Sequence, residues 1–424
     1  KGNKGWSYSE ILPYFKKSES WQEIPGLSSS QYRGADGPLR TIGLNSSLHP
    51  IAEAWINAGL EAGFKKTDDY NGQQQEGFGI LQSTIWNGRR ASTAACYLAP
   101  VLGRQNLKIV TGATVSRIIL KGGRAVGVEY QHKNQLKSSF VEREIILSGG
   151  AINSPQLLQL SGIGNGDHLK SVGIETIHEL DGVGQNLCDH VAVSMRQFLK
   201  MPISLRPRTN YFLSKLSTLR WILFKEGPAT HPGIQAISFV KSRKDLVAPD
   251  LQYHLIMMLY ADHGREILDG HGFQPLINVQ RPESFGTVMI KSKDVSEAPL
   301  IDPNYLAAKS DLETLRNGIK IAREIISKKP FDKIRGDERD PGSNIKTDQQ
   351  IDDYIRANCH TQYHPVGTCR MGQDNLAVVD SHLKVHGIDG LRIVDASVMP
   401  DMVSANTNAA TIMIAEKASD LIKN

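Results

Sequence analysis

Cys359, His360, His364 and Cys369 fall in one short stretch of the chain and are of types that bind metal or move protons. The i, i+4 spacing of the two histidines would suit zinc if the segment were helical. Pro365, directly after His364, biases that residue out of helical geometry, so zinc is the weaker reading. The other chemistry open to a histidine is proton transfer. A neutral imidazole, with an ordinary pKa of about 6.5, takes a hydroxyl proton near neutral pH. A second stretch, Gly149-Gly150 through Asn153-Ser154-Pro155, follows a short apolar run. A helix that starts after such a turn can hold phosphate at its N-terminus, although a plain capped helix would look the same. Neither Gly-x-Ser-x-Gly nor His-Glu-x-x-His occurs, which removes the serine hydrolase and zincin readings.

These residues need elements to hold them. Glu144 to Ser148 reads as a buried parallel strand. It feeds a helix capped by Ser154, with Pro155 at its first position and its end at Gly162. Leu391 to Asp395 reads as a second buried strand, ending in an acid, and Asn408 to Ile422 as a closing helix. Apolar spacing predicts helices over Tyr8–Lys17, Pro50–Ala62, Asp311–Lys328 and Gln349–Asn358, and a short one over Ser92–Leu98. Strands are expected at Leu107–Thr111, Val115–Leu120 and Ala125–Tyr130, with Gly122-Gly123 as the hairpin turn between the last two. From 191 to 300 the pattern loosens and is broken at Pro202, Arg206-Pro207-Arg208 and Gly227-Pro228. This region reads as a separate substrate-facing domain.

With 424 residues the chain can hold two or three domains. Its 40% hydrophobic and 22% charged residues are ordinary globular usage, which excludes disorder and coiled coil. A net charge of +5, with no Lys/Arg stripe interleaved with aromatics, argues against nucleic acid as a partner. Four cysteines do not make a disulfide scaffold, so reduced thiols and a cytoplasmic location are expected, with membrane association as the alternative. No stretch reaches the roughly 18 apolar residues of a membrane span. The start, Lys1-Gly2-Asn3-Lys4-Gly5-Trp6, is neither a signal nor a transit peptide, lacks Met and opens in mid-pattern, as a fragment would.

Three segments together carry a family resemblance: Gly150-Ala-Ile-Asn-Ser-Pro-Gln-Leu-Leu-Gln-Leu-Ser-Gly-Ile-Gly164, His360-Thr-Gln-Tyr-His364-Pro-Val-Gly-Thr-Cys-Arg-Met-Gly372, and Leu391 to Pro400 continuing through Ser404-Ala-Asn-Thr-Asn-Ala409 to Lys417. Smaller stretches agree with them: Gly5-Trp6-Ser7-Tyr8, Asn87-Gly88-Arg89-Arg90 and Val183 to His190. Across essentially its whole length the chain resembles the glucose–methanol–choline (GMC) oxidoreductases, on the choline- and alcohol-dehydrogenase branch.

The resemblance implies an α/β (α+β) fold. An FAD-binding Rossmann-like domain, incomplete at its N-terminus, would join a sheet-and-helix substrate-binding domain. The expected divisions are 1–190, 191–365 and a returning segment 366–424. The implied cofactor is FAD. The implied reaction is oxidation of a primary alcohol, aliphatic or choline-like, with oxygen or a quinone reoxidising the flavin. His364 matches the proton acceptor that works while hydride passes to flavin N5. Asn406 matches the second active-site position, where its plainer reading is a turn residue. Val115 matches a residue whose backbone meets the adenine, and Asp395 and Ala396 match positions beside the ribityl and phosphate region. Asn406-Thr407 matches backbone facing the isoalloxazine at the start of a helix, whose dipole would stabilise an anionic reduced flavin. One departure stands out: the family's opening Gly-x-Gly-x-x-Gly turn does not occur, so the chain reads as N-terminally truncated. The alternatives are an FAD-containing hydroxynitrile lyase and a degenerate, non-catalytic member.

Overall fold

In strand Leu251–Ile256, alternate side chains must point to opposite faces. Leu251, Tyr253 and Leu255 go to an apolar core under helices, while Gln252 and His254 go to the other face. The computed structural model describes residues 1–22, 31–43, 48–206, 211–225, 230 and 233–423, with the side chains of 211–214 left aside. Pro207-Arg208 and Gly227-Pro228 lie outside the described residues. Within them, this strand sits in an eight-stranded sheet in the order Arg335–Asp340, Arg196–Leu199, Gly272–Val279, Leu251–Ile256, Ile234–Val240, Gly77–Ile80. Val191–Ser194 also pairs with Gly272–Val279 and carries the two-residue strand His360–Thr361 on its outer side. Every pairing in this sheet is antiparallel.

Much of the stretch that loosens in sequence, 191–300, which also holds helix Tyr211–Phe224, therefore belongs to a regular sheet. Its period was masked because both faces are buried: Gln252, Asn278 and Gln280 are as enclosed as Tyr253 and Ile277. Helices Pro50–Glu61, Lys309–Ser327 and Asp348–Asn358 belong to the core on one face. Two of them approach through glycine: a Cβ on Gly59 would stand 2.5 Å from the Phe78 ring, and one on Gly318 would stand 2.6 Å from Ile277. Phe64, Phe78, Trp55 and Tyr253 form an aromatic run with centroids 5.5 to 5.8 Å apart. Each ring buries about 150–250 Å².

A second core gathers Ile145, Leu147, Leu158, Leu391, Ile393 and Met413. Ile145–Leu147 pairs in parallel with Leu391–Ile393, as expected of two buried strands. Helix Asn408–Lys423 packs on Tyr8–Ser18, where Lys417 lies over the Trp6 and Tyr14 rings at 5.1 Å from each.

Three local expectations are corrected, and the expected hairpin forms and is extended. Leu107–Thr111 forms no strand; Leu107, Ile109 and Val110 are exposed, and no ladder among the described residues pairs with them. The hairpin Ala113–Lys121/Arg124–His132 gains a third strand, Gln135–Phe140, through a turn at Lys133-Asn134 with φ of 52° and 60°. Ser92–Leu98 becomes a π turn, Ala94–Leu98, followed by a 3₁₀ turn, Ala99–Val101. Lastly, the helix expected to start at Pro155, with Ser154 as its cap, starts at Gly150 and runs to Leu160 with Pro155 inside it. Proline in a helix interior leaves the carbonyl four residues back without its N–H. Here that carbonyl, Ala151 O, accepts from the Thr368 hydroxyl at 2.7 Å instead.

Candidate active site

The segment 360–371 lies between two others and is tied to both. On one side it pairs with 188–192: Cys188 N donates to Val366 O at 3.0 Å, Val366 N to Cys188 O at 2.9 Å, and Gln362 N to His190 O at 3.1 Å. On the other side Gly367 N donates to Ala396 O, Cys369 N to Ser397 O, and Met371 N to Val398 O. These ladders bring His364 to the middle of the molecule, against residues far away in sequence. Tyr363 before it takes φ of 61°, and the backbone through His360–Pro365 is not helical.

His364 is 8% exposed. Its Nδ1 lies 2.9 Å from Nδ1 of His190, with the rings edge to face at 85°, and its Nε2 lies 3.1 Å from the amide nitrogen of Asn406. The structure thus brings together the two residues expected to be catalytic. Its backbone N–H donates to Asp189 Oδ1 at 2.9 Å. Asp189 also accepts from the Thr361 hydroxyl at 2.5 Å and from the Tyr305 hydroxyl, which occupies it fully inside the protein. Burial raises the Asp189 pKa while these donors oppose the rise.

Burial lowers the His364 pKa to about 4, so the ring is neutral at pH 7. The same cause, with the neighbouring His364 charge second, lowers His190 to about 3 and His254 to about 4. Gln252 and His254 occupy alternate positions on the sheet face toward this site; Gln252 donates to Asn406 Oδ1 at 3.3 Å and accepts from Gln280 at 3.1 Å. Beside the polar patch lies an apolar one made of Ala192, Ile256 and Leu276, with Ile234, Met258 and Tyr260 against it.

The zinc reading finds no support in this geometry. His360 turns away to His263, at 5.1 Å between ring centroids, while His364 turns to His190. Among the described residues no cluster of His, Cys, Asp or Glu is arranged to hold a metal ion, and all four cysteines are free thiols.

The residues matched to cofactor contacts divide into groups. Asp395 and Ala396 stand at the carboxyl end of Leu391–Ile393, beside Gly149-Gly150 at the end of its parallel partner. The Asp395 carboxylate is occupied by the protein itself. Oδ2 accepts from Gly150 N at 2.9 Å and Ser154 Oγ at 2.6 Å, and Oδ1 from Ser397 N at 2.8 Å and its Oγ at 2.5 Å. The Ala396 carbonyl likewise accepts from Gly367 N and Met399 N at 3.3 Å; the ends of such strands are the usual place for a ligand in these sheets. Gly150 faces the same way with φ of 76°, and a Cβ there would meet no atom within 4 Å. Thr407 is buried and precedes helix Asn408–Lys423, accepting from Thr411 N at 3.0 Å. Asn406 is exposed, and Ala405 before it holds φ of 142°, a conformation that disfavours side chains. Val115 lies apart, at an irregularity in strand Ala113–Lys121, and among the described residues no hydrogen bond joins it to the others.

Sequence reasoning gave no role to Asp189, His190, Gln252 or His254. A signal for the last two was present: polar residues at alternate positions in Leu-Gln-Tyr-His-Leu-Ile, with Gln274, Asn278 and Gln280 at matching spacing in the neighbouring strand. No local signal points from His190 to His364, because they meet only through the fold.

Known proteins show the family to which the chain belongs. Residues 1–192 and 282–415 match two family models, each described as GMC oxidoreductase. Human mitochondrial choline dehydrogenase is 43% identical over 424 residues, covering 100% of this chain and 70% of that protein. The oxygen-dependent choline dehydrogenase of Vibrio vulnificus is 42% identical, with 99% and 75% covered. Among solved structures, pyridoxine 4-oxidase from Mesorbium loti superposes with a TM-score of 0.87 at 28% identity, over 99% of this chain and 78% of that one. A formate oxidase variant (R554A) from Aspergillus oryzae gives 0.92 at 25% identity, over 99% and 78%.

Proposed function

The chain belongs to the GMC oxidoreductases and is an FAD-dependent alcohol oxidoreductase, and on that premise we propose that it oxidises a primary alcohol to the aldehyde with His364 as the base. The observation that carries this is the contact of His364 Nε2 with the Asn406 amide, in which the imidazole is buried and neutral while Asn406 reaches the surface. The relatives named for choline support a choline-like or aliphatic alcohol as substrate. The alcohol's hydroxyl would take its place at His364 Nε2, with the Asn406 amide donating to its oxygen. The rest of the molecule would lie against the apolar patch around Ile256 and Leu276. FAD, when bound, supplies the hydride acceptor. The O–H proton goes to His364, the carbinol C–H leaves as hydride, and the carbonyl double bond forms between the two losses.

We place the cofactor along the backbone at Gly149-Gly150, Asp395-Ala396 and Asn406-Thr407, with Val115 toward its adenine end. The division into 1–190, 191–365 and 366–424 then puts His364 at a junction and Asn406 in the returning segment. No helix among the described residues is long and apolar enough to cross a membrane. The test is anaerobic mixing of the flavin-loaded protein with choline and with a series of aliphatic primary alcohols. Bleaching of the oxidised flavin band by at least one of them is expected. A flavin that stays oxidised while a hydroxynitrile is cleaved would replace this reading with a lyase. Oxygen or a quinone is the expected reoxidant, and restoring the band with each in turn identifies it.

A further inference from the structure

A base is useful only if its lone pair faces the substrate, and the neighbours of His364 decide which nitrogen carries it. His190 Nε2 lies 3.3 Å from the backbone carbonyl of Gln280. A carbonyl can only accept, so Nε2 of His190 carries the hydrogen, and in the neutral ring Nδ1 is then an acceptor. That acceptor is 2.9 Å from Nδ1 of His364, which must therefore be the N–H of that ring. The lone pair is left on Nε2, where the Asn406 amide donates to it at 3.1 Å. Asn406 Oδ1 in turn accepts from Gln252, and Gln252 Oε1 from the Gln280 side chain. The chain starts at the Gln280 carbonyl, which can only accept and so sets its direction, and returns to the Gln280 amide.

We propose that His190 is a positioning residue, holding His364 in the Nδ1–H tautomer so that Nε2 is the base. This rests on His364 being the proton acceptor. His190 is fully buried, and its far nitrogen ends on a backbone carbonyl, so it orients the base and does not carry the proton away. Adjacent Asp189 grips the His364 backbone N–H, so two consecutive residues fix both backbone and ring. The groups facing the His364 ring are His190, His254 and Asn406.

Two experiments test this. In the unaltered, flavin-loaded protein at pH 7, ¹⁵N imidazole shifts should report His364 as the Nδ1–H tautomer and His190 as the Nε2–H tautomer. Finding His364 as Nε2–H overturns the proposal, whatever the activity. The second compares His190→Asn with His190→Gln. Asparagine keeps a polar atom where Nδ1 stood and glutamine does not, although both are polar and similar in size. His190→Asn should keep kcat within about 10-fold of the parent, while His190→Gln should lose about 10²–10³-fold in kcat with KM little changed and flavin content equal. Equal losses in both, or the better rate in the glutamine variant, would make His190 merely structural. Bleaching of the unaltered protein by its alcohol is scored separately, so failure of the parent reaction is not mistaken for failure of the tautomer lock.

Discussion

At the scale of single residues, burial sets what His364 can do. The ring gives up water on nearly every side, its charged form is penalised, and its pKa falls to about 4. A base must be unprotonated to work, so lowering its pKa moves the acid limb of the pH profile downward. We expect kcat/KM to stay level between about pH 8 and 6 and to fall only as the pH drops toward 4. A limb centred near 6.5, where an unburied imidazole titrates, would contradict this. His190 and His254 face the same ring and are held neutral in the same range, so neither places a positive charge beside the site at pH 7. Asn406 fits this setting because it donates to an oxygen without bringing charge. The role proposed for the histidine came from its residue type and the family resemblance, with Pro365 weighing against a zinc helix. The partners of its ring were not, since hydrogen bonds between residues 174 positions apart leave no local pattern.

At the scale of elements, the site hangs on one joint where the sequence misled. Ser154-Pro155 has the form of a helix start, yet the helix already begins at Gly150, before the expected cap. The reason lies elsewhere in the chain: Asp395 binds the Gly150 N–H and the Ser154 hydroxyl, and Thr368 serves the carbonyl that Pro155 leaves free. Long-range polar contacts thus override a local signal. Removing one should be felt by the others. Thr368→Val keeps the shape and deletes the hydroxyl, leaving a buried carbonyl without a donor. A loss of about 1–3 kcal/mol in unfolding free energy by chemical denaturation is expected, with weaker flavin retention. Unchanged stability would mean that the Ala151 carbonyl has found another donor. Regular helices such as Lys309–Ser327 and Asp348–Asn358 were read within two residues, because their apolar spacing is local; the second also carries a Thr347/Gln350 capping box, while Ala308 gives the first no side-chain cap.

At the scale of the whole molecule, two cores meet along the segment that carries His364. One is a sheet roofed by helices, and the other is built on the parallel strand pair and the closing helix. The sheet was the least legible part. It takes Gly77–Ile80 from early in the chain and His360–Thr361 from late in it, and its polar face hides the alternation. That polar face carries Gln252 and His254 to the site, while the ends of the parallel strands face the proposed cofactor. The base would therefore sit at the seam of the two cores and the hydride acceptor along the second of them, so loss of the base need not disturb cofactor binding.

The central claim is that His364 takes the alcohol proton, and the direct test is the rate of anaerobic flavin bleaching by the alcohol in His364→Ala beside the parent protein. The account predicts equal flavin content and bleaching slowed by about 10²–10⁴-fold. Bleaching within a few-fold of the parent at equal flavin content would contradict it and pass the proton to another group.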